Sequence, residues 1–535
     1  MRILEVHIKS KFKNLKDFRI EFDKEAMETV LIGLNATGKS NFMEALVIIF
    51  RDLDLERSPQ HGKSRNLLEY YIKYECRGKT IEIKFSIIEG YSFIIDNVIL
   101  KSRPAFFREK EIFLPKHVFI YYSGLSTRLT DLYSEHEKAY YSNIINSKAK
   151  YKEFDSIRRI FLVQNIHASF ALIAFFMNFG QKIEEEETKQ FLKDELKIHD
   201  FGSALFIIKK PTWARPQKDI DEYWGADGLV KRFLDDLRLF ALAPIYNEER
   251  IQTNYKKAET QSHYYLYLSN KKVLQDLVDL KYQNKTQLFN ALESIYLSDL
   301  LFDVKITIEK EYVNKGLSMS ELSEGEKQLL TVLGLLKFTK DEESLILLDE
   351  PDTHLNPLWK WKYLEYLDKV VKNPKSTQII FSTHDPLVIG GMDKKQVRVF
   401  KQISLGKTMA IEPDKSPKGM GVAGILTSDL FGLPTILDKE TQEKLNRKRY
   451  LQGKLMRDKL SQKDYLEYNK LKAELEELGF YEEVEDQWFK MYLAEMSRQE
   501  IMQKVEYTEE EKLILKNESE KAIERVKQKI QDNQI

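Results

Sequence analysis

The chain has 535 residues, of which 42% are hydrophobic and 31% are charged, so it is long enough for several domains and too apolar to be disordered. Its 84 Lys and Arg residues balance its 84 Asp and Glu residues, which restricts any nucleic-acid surface to a local patch. Its single cysteine excludes an internal disulfide, and no apolar run approaches the roughly 20 residues of a membrane-spanning helix. These features indicate a cytoplasmic, multi-domain α/β protein.

The first 125 residues combine strand patterns with one helix pattern. Residues 1–32 predict short strands, and the segment NFMEALVIIFRDL that follows a glycine-rich loop has helical periodicity. Between residues 69 and 101, apolar and polar residues alternate and turn residues interrupt them, which predicts an antiparallel meander. Residues 117–124, HVFIYYSG, predict one more strand that ends in a turn.

The glycine-rich loop GLNATGKS, residues 33–40, matches the pattern G-x-x-x-x-G-K-[S/T] between an apolar strand and a helix. In such a loop the backbone amides and the helix N-terminus face a phosphate. We therefore expect Lys39 to bridge the β- and γ-phosphates of ATP and Ser40 to ligate Mg²⁺. The alternative, a glycine-rich turn that binds nothing, is disfavoured by the length and context of the pattern. The remaining expected nucleotide ligands of this segment are Gly33, Asn35, Ala36, Thr37, Gly38 and Asn41.

Residues 126–295 differ from the first segment. They show helical periodicity, as in RRIFLVQNIHASFALIAFFMNF and GLVKRFLDDLRLFALAPI, without strand alternation. This pattern predicts a mostly helical insertion. Strand and helix signals return over residues 296–424.

The stretch LSEGEKQ, residues 322–328, stands directly before an apolar run of helical length. Ser323 and Glu326 form an S-x-x-E capping box, which presents the positive end of a helix and a serine hydroxyl. Such a device recognises a γ-phosphate, but the P-loop of this chain already encloses one side of its nucleotide. We therefore expect the stretch to close on ATP bound by a second protomer.

Two further segments predict central strands that end in functional residues. SLILLDEPD, residues 344–352, places Asp349 and Glu350 at the carboxyl end of an apolar strand, where ligands of open α/β sheets bind. We expect Asp349 to hold the Mg²⁺ shell and Glu350 to orient and deprotonate the attacking water. TQIIFSTHDP, residues 377–386, places His384 at the tip of the next strand. A lone histidine is more often structural, but this position favours a sensor of the γ-phosphate.

Beyond residue 425 the chain is charged and helical. Ser461 and Asp464 form a capping-box pattern at the start of the second helix of a predicted hairpin. The basic run from Lys444 to Lys459 is a candidate DNA surface, and a solvated helix face with acidic partners explains it at least as well. Residues 425–535 are expected to form a helical region that binds a partner.

In this order, the P-loop, the L-S-x-G-E signature, LLDEPDTHLNP and STHDP resemble the ABC-type ATPases. The resemblance is to their soluble branch, which includes chromosome-maintenance, break-repair and overcoming-lysogenisation ATPases. It implies an α/β P-loop head with a mixed-sheet core and an antiparallel β subdomain, divided between residues 1–125 and 296–424. It also implies a head-to-tail homodimer that encloses two ATP molecules.

The same resemblance assigns further roles and shows two departures. Ser323, Gly325 and Glu326 would act across the dimer interface, and Asp352, with Leu355, would belong to the D-loop that couples the two sites. The signature has Glu324 where transporters have a second glycine. YYSGLSTR occupies the place of the glutamine loop without a glutamine, which leaves Ser123 as the candidate substitute.

The segment GILTSDLFGLPTILDKETQEKLN, with a charged hairpin ending in ELEELGF, resembles the restriction-system-associated AAA/ABC ATPases and the Septu antiphage ATPases. That resemblance implies a partner encoded beside this chain, typically an HNH-type nuclease. The chain itself shows no D-x-D after residue 400 and no histidine cluster. Glu82 and Lys84 have E-x-K spacing, but an alternating strand places such residues toward water.

Three functions therefore remain open. The first is an ATP-hydrolysing sensor and switch that controls an antiviral effector. The second is a DNA-repair or recombination ATPase that acts on DNA directly. The third is a nucleotide-gated scaffold that binds ATP and hardly hydrolyses it.

Overall fold

A computed structural model describes residues 1–61, 66–100, 102–124, 132–133, 136–137, 141, 158–180, 182–215, 218–220, 222–252, 258–313, 316–339, 343–370, 375–404, 407–457, 460–480, 487–504 and 507–531. The chain forms two compact units, Met1–Gly419 and Met420–Ile535.

The first unit contains all the strands of the described residues and the first twelve helices. The strands are β1 (Arg2–Ile8), β2 (Phe18–Glu21), β3 (Glu28–Ile32), β4 (Gln60–His61), β5 (Asn66–Leu67), β6 (Tyr70–Cys76), β7 (Lys79–Ser86), β8 (Gly90–Ile95), β9 (Val98–Ile99), β10 (His117–Tyr122), β11 (Ile160–Leu162), β12 (Ile198–Lys209), β13 (Ile245–Gln252), β14 (Ala258–Leu268), β15 (Leu301–Lys310), β16 (Leu317–Ser318), β17 (Ser344–Asp349), β18 (Thr377–Ser382), β19 (Val397–Ser404) and β20 (Lys407–Ile411). The helices are α1 (Lys39–Asp54), α2 (Arg103–Arg108), α3 (Lys110–Phe113), α4 (Ile166–Phe176), α5 (Lys182–Leu196), α6 (Gly228–Phe240), α7 (Lys271–Lys281), α8 (Lys285–Leu297), α9 (Glu324–Thr339), α10 (Pro357–Trp361), α11 (Tyr363–Val370) and α12 (Pro386–Ile389).

A seven-stranded mixed sheet forms the centre of this unit, in the order β11-β10-β17-β18-β3-β19-β20. Only β20 runs antiparallel to its neighbour, and the other adjacent strands are parallel. β3, β17 and β18 are buried along their whole length. Strands covered on both faces are continuous apolar runs, which is why their sequences predict them well. The carboxyl ends of these three strands lead into the P-loop, the acidic pair Asp349 and Glu350, and the segment that contains His384.

A second sheet, in the antiparallel order β2-β1-β6-β7-β8-β9, confirms the predicted meander. Helix α1 lies between the two sheets, since Phe42 contacts Phe18 of β2 and Phe400 of β19, with ring centroids 5.7 Å and 6.2 Å apart. The same core includes Cys76, whose thiol pKa burial raises to about 11. The fold is therefore the expected mixed-sheet core with an antiparallel β subdomain.

The interval 126–295 departs from its prediction. It contains helices α4 to α8, as the helical pattern predicts, and also strands β11 to β14, which that pattern does not reveal. Strands β12 to β14 join β15 and β16 in a third, antiparallel sheet, in the order β13-β14-β12-β15-β16. Residues 125–131 and 142–157, among others in this interval, lie outside the described residues.

Three physical causes hide β11, β12 and β14 in the sequence. The pairing of β12 with β15 shifts register at three places, which breaks the alternation of buried and exposed residues. On β14, Tyr265 and Tyr267 make the outward face as aromatic as the buried one, so no period of two is visible. β11 has only three apolar residues, and such a run does not distinguish a strand from the start of a helix.

The second unit is helical throughout its described residues, as expected. Its helices are α13 (Gly421–Thr427), α14 (Lys439–Leu455), α15 (Gln462–Glu477), α16 (Gln487–Met496) and α17 (Glu509–Gln531). The Asp464 amide donates to Ser461 Oγ at 3.1 Å, which caps the start of α15. No helix in the described part of the chain is both long and apolar enough to cross a membrane.

Lys444 and Arg447 of the basic run in this unit form ion pairs with acidic neighbours. Arg447 donates to both carboxylate oxygens of Glu467, at 2.8 and 2.7 Å. Lys444 lies 2.8 Å from a Glu440 oxygen and 3.1 Å from a Glu474 oxygen. Lys459, at the end of the run, lies outside the described residues. These ion pairs favour the solvated helix face over the DNA surface.

Candidate nucleotide-binding site

The P-loop joins β3 to α1 through a backbone that only small residues permit. φ is 144° at Gly33, 64° at Ala36 and 104° at Gly38. A Cβ atom on Gly33 would lie 2.5 Å from the carbonyl oxygen of Phe400, and one on Gly38 would lie 2.8 Å from Asn14 Oδ1. Both glycines are therefore required by conformation and by close approach.

The N-terminus of α1 is open to an anion. Its N-cap, Gly38, offers no side-chain hydrogen bond, and the first turn contains no acidic residue. The ammonium of Lys39 folds back over the loop and donates to the carbonyl oxygens of Gly33, at 2.8 Å, and Leu34, at 3.2 Å. Burial lowers the pKa of Lys39, while Glu350 and Asp349 act in the opposite direction. Amides, a helix N-terminus and a lysine thus face the same space, which suits a polyphosphate.

That space is an open cavity of about 480 Å³. It is lined by Lys13, Asn14, Asn35, Ala36, Gly38, Lys39, Ser40, Asn41, Glu350 and His384. The fold therefore brings the P-loop together with the residues that follow β17 and β18. Gly33 and Thr37 are not among the lining residues, and the Thr37 hydroxyl donates within the loop to the Leu34 carbonyl oxygen at 2.8 Å.

The acidic pair after β17 divides into a buried and an accessible carboxylate. Asp349 is 5% exposed and accepts a hydrogen bond from the Ser382 hydroxyl of β18. Glu350 has φ of 52°, a left-handed conformation that is rare for a residue with a side chain, and its amide donates to Ser382 Oγ at 3.1 Å. This turn directs the Glu350 carboxylate into the cavity.

His384, which follows β18, also lines the cavity. Its Nε2 lies 3.4 Å from Glu350 Oε1, and its side chain is 39% exposed. Burial and the neighbouring Lys39 lower the pKa of His384, against the opposing effect of Glu350 and Asp349. This shift favours the uncharged ring, which has one N–H to donate and one nitrogen to accept.

Lys13 and Asn14, in the loop between β1 and β2, line the cavity but belong to no sequence motif. The Asn14 side chain donates to the Ala36 carbonyl oxygen and accepts from Asn41, both at 2.7 Å, so it joins this loop to the P-loop. Lys13 forms an ion pair with Glu44 of α1. Nothing in the segment KFKNL signals this role, because only the pairing of β1 with β2 brings the loop to the P-loop.

The signature residues lie apart from the cavity of their own chain. Ser323 is exposed at the start of α9, and the capping box is present: Ser323 donates its amide (2.8 Å) and its hydroxyl (3.0 Å) to Glu326 Oε2. The Glu326 amide donates to Ser323 Oγ at 3.3 Å. Gly325 is packed so tightly that an added Cβ atom would lie 2.6 Å from the carbonyl oxygen of His354.

The segment after Glu350 connects these parts. The buried Asp352 accepts from the Thr383 hydroxyl at 2.8 Å, and burial raises its pKa to about 6 in spite of that bond. Gln328 of α9 accepts from the His354 amide at 2.9 Å and donates to the Tyr121 hydroxyl of β10 at 3.1 Å. Leu355 is buried. The predicted D-loop is therefore held both to the signature helix and to the segment after β18 that contains Thr383 and His384.

Ser123, the candidate substitute for the glutamine loop, does not line the cavity. Its amide donates to the Asp349 carbonyl oxygen at 3.2 Å, and its hydroxyl lies 3.5 Å from that of Thr353. It supports the turn after β17 and makes no contact with the cavity.

The oxygen atoms near the P-loop fit a magnesium ion bound together with a nucleotide. Among the described residues, no group of three or more His, Cys, Asp or Glu side chains could hold a metal ion alone. Mg²⁺ needs few protein ligands where phosphates and water supply the rest. The Ser40 hydroxyl and the Asp349 carboxylate are hard oxygen donors of the kind that such a site uses.

The fold and this site together define the class of the protein, an ABC-type ATPase. Residues 237–390 match the family model described as "AAA domain, putative AbiEii toxin, Type IV TA system". Over 276 residues the chain is 26% identical to "Septu protein PtuA" of Bacillus mycoides (strain KBAB4), a match that covers 46% of this chain and 36% of that protein. Over 458 residues it is 20% identical to "Retron Ec83 probable ATPase" of Escherichia coli, covering 80% of this chain and 75% of that protein. The chain is thus an ABC-type ATPase related to the Septu and retron ATPases.

Solved structures that match the chain include an SMC head bound to the C-terminal winged-helix domain of ScpA, at 12% identity and a TM-score of 0.32. That match covers 77% of this chain and 98% of the SMC head. The recombination mediator RecF with ATPγS is 18% identical, with a TM-score of 0.29, over 76% of this chain and 98% of RecF. Because these TM-scores are low, the topology described above rests on the strand pairing of this chain alone.

Proposed function

We propose that the chain binds ATP with Mg²⁺ in the cavity at the P-loop and hydrolyses the γ-phosphate. The observation that carries this proposal is the convergence of Lys39, Ser40, Glu350 and His384 on one open cavity. A phosphate cradle alone supports binding. The Glu350 carboxylate, which lines the same cavity and follows a left-handed turn, supports hydrolysis.

In this proposal each residue performs a separate task. Bound Mg²⁺ neutralises phosphate charge and orients the phosphates. Lys39 exchanges its contacts with the loop carbonyls for phosphate oxygens, and Ser40 and Asp349 hold the metal. Glu350 accepts the proton of the attacking water at a carboxylate oxygen. The uncharged His384 donates its N–H toward the γ-phosphate, and Asn35, Ala36, Thr37, Gly38 and Asn41 shape the cradle.

We further propose a head-to-tail homodimer with ATP at its interface. Ser323 is exposed and is not among the residues that line the cavity of its own chain. A signature that recognises a γ-phosphate would therefore do so on the other protomer, with Ser323, Gly325 and Glu326 facing the second nucleotide. Asp352, fixed between the strand of His384 and the signature helix, would couple the two sites.

The biological role that we propose is control of a partner nuclease, of the HNH type, in cytoplasmic antiphage defence within a restriction-type system. The relation to the Septu and retron ATPases supports it. Glu82 of the E-x-K pattern is the chain's own candidate for nuclease chemistry. Its carboxylate is already engaged, since it pairs with Lys73 at 2.9 Å and accepts a hydrogen bond from Tyr71 at 3.0 Å. ATP-bound closure would bias the partner between restrained and active states, provided that the partner binds one state better.

Two measurements on the purified chain test the proposal. Phosphate release with ATP and Mg²⁺, and sedimentation with and without ATP, should show hydrolysis and an ATP-dependent dimer. A chain that binds ATP without either response would be a nucleotide-gated scaffold. Co-purification with the product of a neighbouring nuclease gene tests the role, and a chain that cuts DNA unaided would contradict the division of labour.

A further inference from the structure

The carboxylate of Glu326 occupies the same N-terminal turn that the proposed dimer presents to a γ-phosphate. It accepts both the amide and the hydroxyl of Ser323, at 2.8 and 3.0 Å. A second acidic residue, Glu324, stands in the first turn. A negative charge there satisfies the helix N-terminus in the free chain. The same charge would repel an incoming phosphate unless something cancels it.

A lysine of the third sheet provides that cancellation. Lys310, the last residue of β15, forms an ion pair with Glu326 through the carboxylate oxygen that Ser323 does not use. The two side chains are 18% and 14% exposed, so solvent and salt screen this pair less than a surface pair. One carboxylate is thus shared between Ser323 on one side and Lys310 on the other.

Lys310 also links this contact to the interval that precedes the signature. Its strand pairs with β12 along the length of the third sheet, with Lys310 opposite Ile198. The chain then passes from β15 through β16, which pairs back on β15, to Ser323. A shift of the third sheet would therefore reach the signature serine through one ion pair.

We propose that Lys310 is a positioning residue for engagement of ATP by the signature. It holds Glu326 in the capping position and offsets its charge, so that Ser323 can approach a γ-phosphate on the other protomer. This inference rests on the proposed dimer and assigns Lys310 no contact with substrate.

Lys310→Met tests it, because methionine keeps much of the side-chain volume without the charge. Nucleotide affinity of the P-loop, measured by titration with a fluorescent ATP analogue, should stay within about twofold of the wild type. The KM for hydrolysis and the ATP concentration for half-maximal dimerisation should both rise at least about tenfold, because one uncompensated charge then faces the phosphate. Lys310→Arg should restore both values to within about threefold.

Lys305→Met is the matched control, since Lys305 is exposed on the same strand and forms no ion pair with a described residue. It should leave all these values unchanged. Lys310→Met combined with Glu326→Gln should recover at least about threefold of the loss in KM, because a neutral amide needs no counter-charge. Thermal melting of each variant monitors folding. If Lys310→Met unfolds, Lys310→Gln, which keeps a donor to Glu326, takes its place.

Wild-type KM and dimerisation in Lys310→Met would overturn the inference, and so would a double variant as impaired as the single one. A wild-type chain that binds ATP but neither dimerises nor hydrolyses it would instead overturn the proposed function, and this inference with it. The two failures are distinguished by the wild-type protein alone.

Discussion

Helices α1 and α9 begin at the two motifs proposed to contact ATP, and their N-termini differ in one respect. At α1 the N-cap is Gly38, no side chain caps the helix and its first turn has no acidic residue. At α9 Ser323 and Glu326 cap each other, and Glu324 adds a second carboxylate in the first turn. The first N-terminus is open, and the second is already satisfied by its own chain.

The difference indicates an order of events. An anion can bind at α1 without displacing any side chain, apart from the Lys39 ammonium that turns from two backbone carbonyls to phosphate. At α9 the Ser323 hydroxyl must exchange Glu326 for a phosphate oxygen. We therefore expect ATP to bind the P-loop first and the signature to engage second, at a higher ATP concentration or only in the dimer.

The largest effect should come from blocking the second N-terminus. Ser323→Arg should abolish turnover and leave ATP binding by the P-loop largely intact, because the added side chain prevents closure on the other protomer. Phosphate release and analogue titration measure the two properties. Lys39→Ala is the matched variant of the first N-terminus and should weaken ATP binding itself.

A mixture of these two variants leaves at most one intact composite site in each heterodimer, so some turnover should return. If each variant alone hydrolysed ATP normally as a monomer, the dimer and the comparison of the two helices would both be wrong.

The next largest effect should come from removing the proposed base for ATP hydrolysis, Glu350. Glu350→Gln should hydrolyse ATP at least about a hundredfold more slowly, since loss of a positioned base typically costs 10²–10⁴ in rate. ATP binding and ATP-dependent dimerisation should persist. Single-turnover phosphate release separates the chemical step from binding, and wild-type turnover would show that Glu350 is not the base.

A moderate effect is expected where the signature helix meets the D-loop. Gln328→Leu removes the bonds to the His354 amide and the Tyr121 hydroxyl. It should lower kcat by roughly tenfold, since the segment after Glu350 then loses its hydrogen bond to the signature helix. Tyr121→Phe, which removes only the hydroxyl, should lower kcat less. An unchanged affinity for the fluorescent ATP analogue would show that the defect lies after binding.

A smaller effect appears in the pH dependence of stability. The pKa of Asp352 is about 6 in the folded chain, above its ordinary value of 3.8, so the folded state binds this proton more tightly than the unfolded state. The resulting stabilisation is complete below about pH 4 and is lost as the pH rises through about 6.

Asp352→Asn removes this dependence. The free energy of unfolding of the wild type, relative to the variant, should therefore fall by about 1–2 kcal/mol between pH 5 and pH 7.5. Glu28 and Glu293, whose pKa values burial raises to about 7, titrate in both proteins and cancel in the difference. Urea unfolding at the two pH values measures it, and a difference of opposite sign would contradict the assignment.

The smallest effect on turnover should follow removal of the chain from about residue 440 onward. Both helix N-termini and the cavity lie in the first unit, so ATP hydrolysis should stay within about twofold of the wild type. Partner binding or phage protection should be lost. Retention of both would show that the partner binds elsewhere.

Much of the candidate site follows from the sequence because its parts are local. The P-loop needs glycines at positions fixed by backbone conformation, and the strands before Asp349 and Ser382 are unbroken apolar runs. The capping box of Ser323 and Glu326 spans one helical turn. Each of these features depends on contiguous residues, so local pattern and elementary chemistry are sufficient to find it.

The tertiary structure alone decided the contacts between distant segments. Lys13 and Asn14 reach the P-loop through strand pairing, and Lys310 reaches Glu326 because β16 folds back on β15. The third sheet was hidden because register shifts and outward tyrosines remove its period of two. Pairing and long-range packing depend on which surfaces meet, and no local window of sequence contains that information.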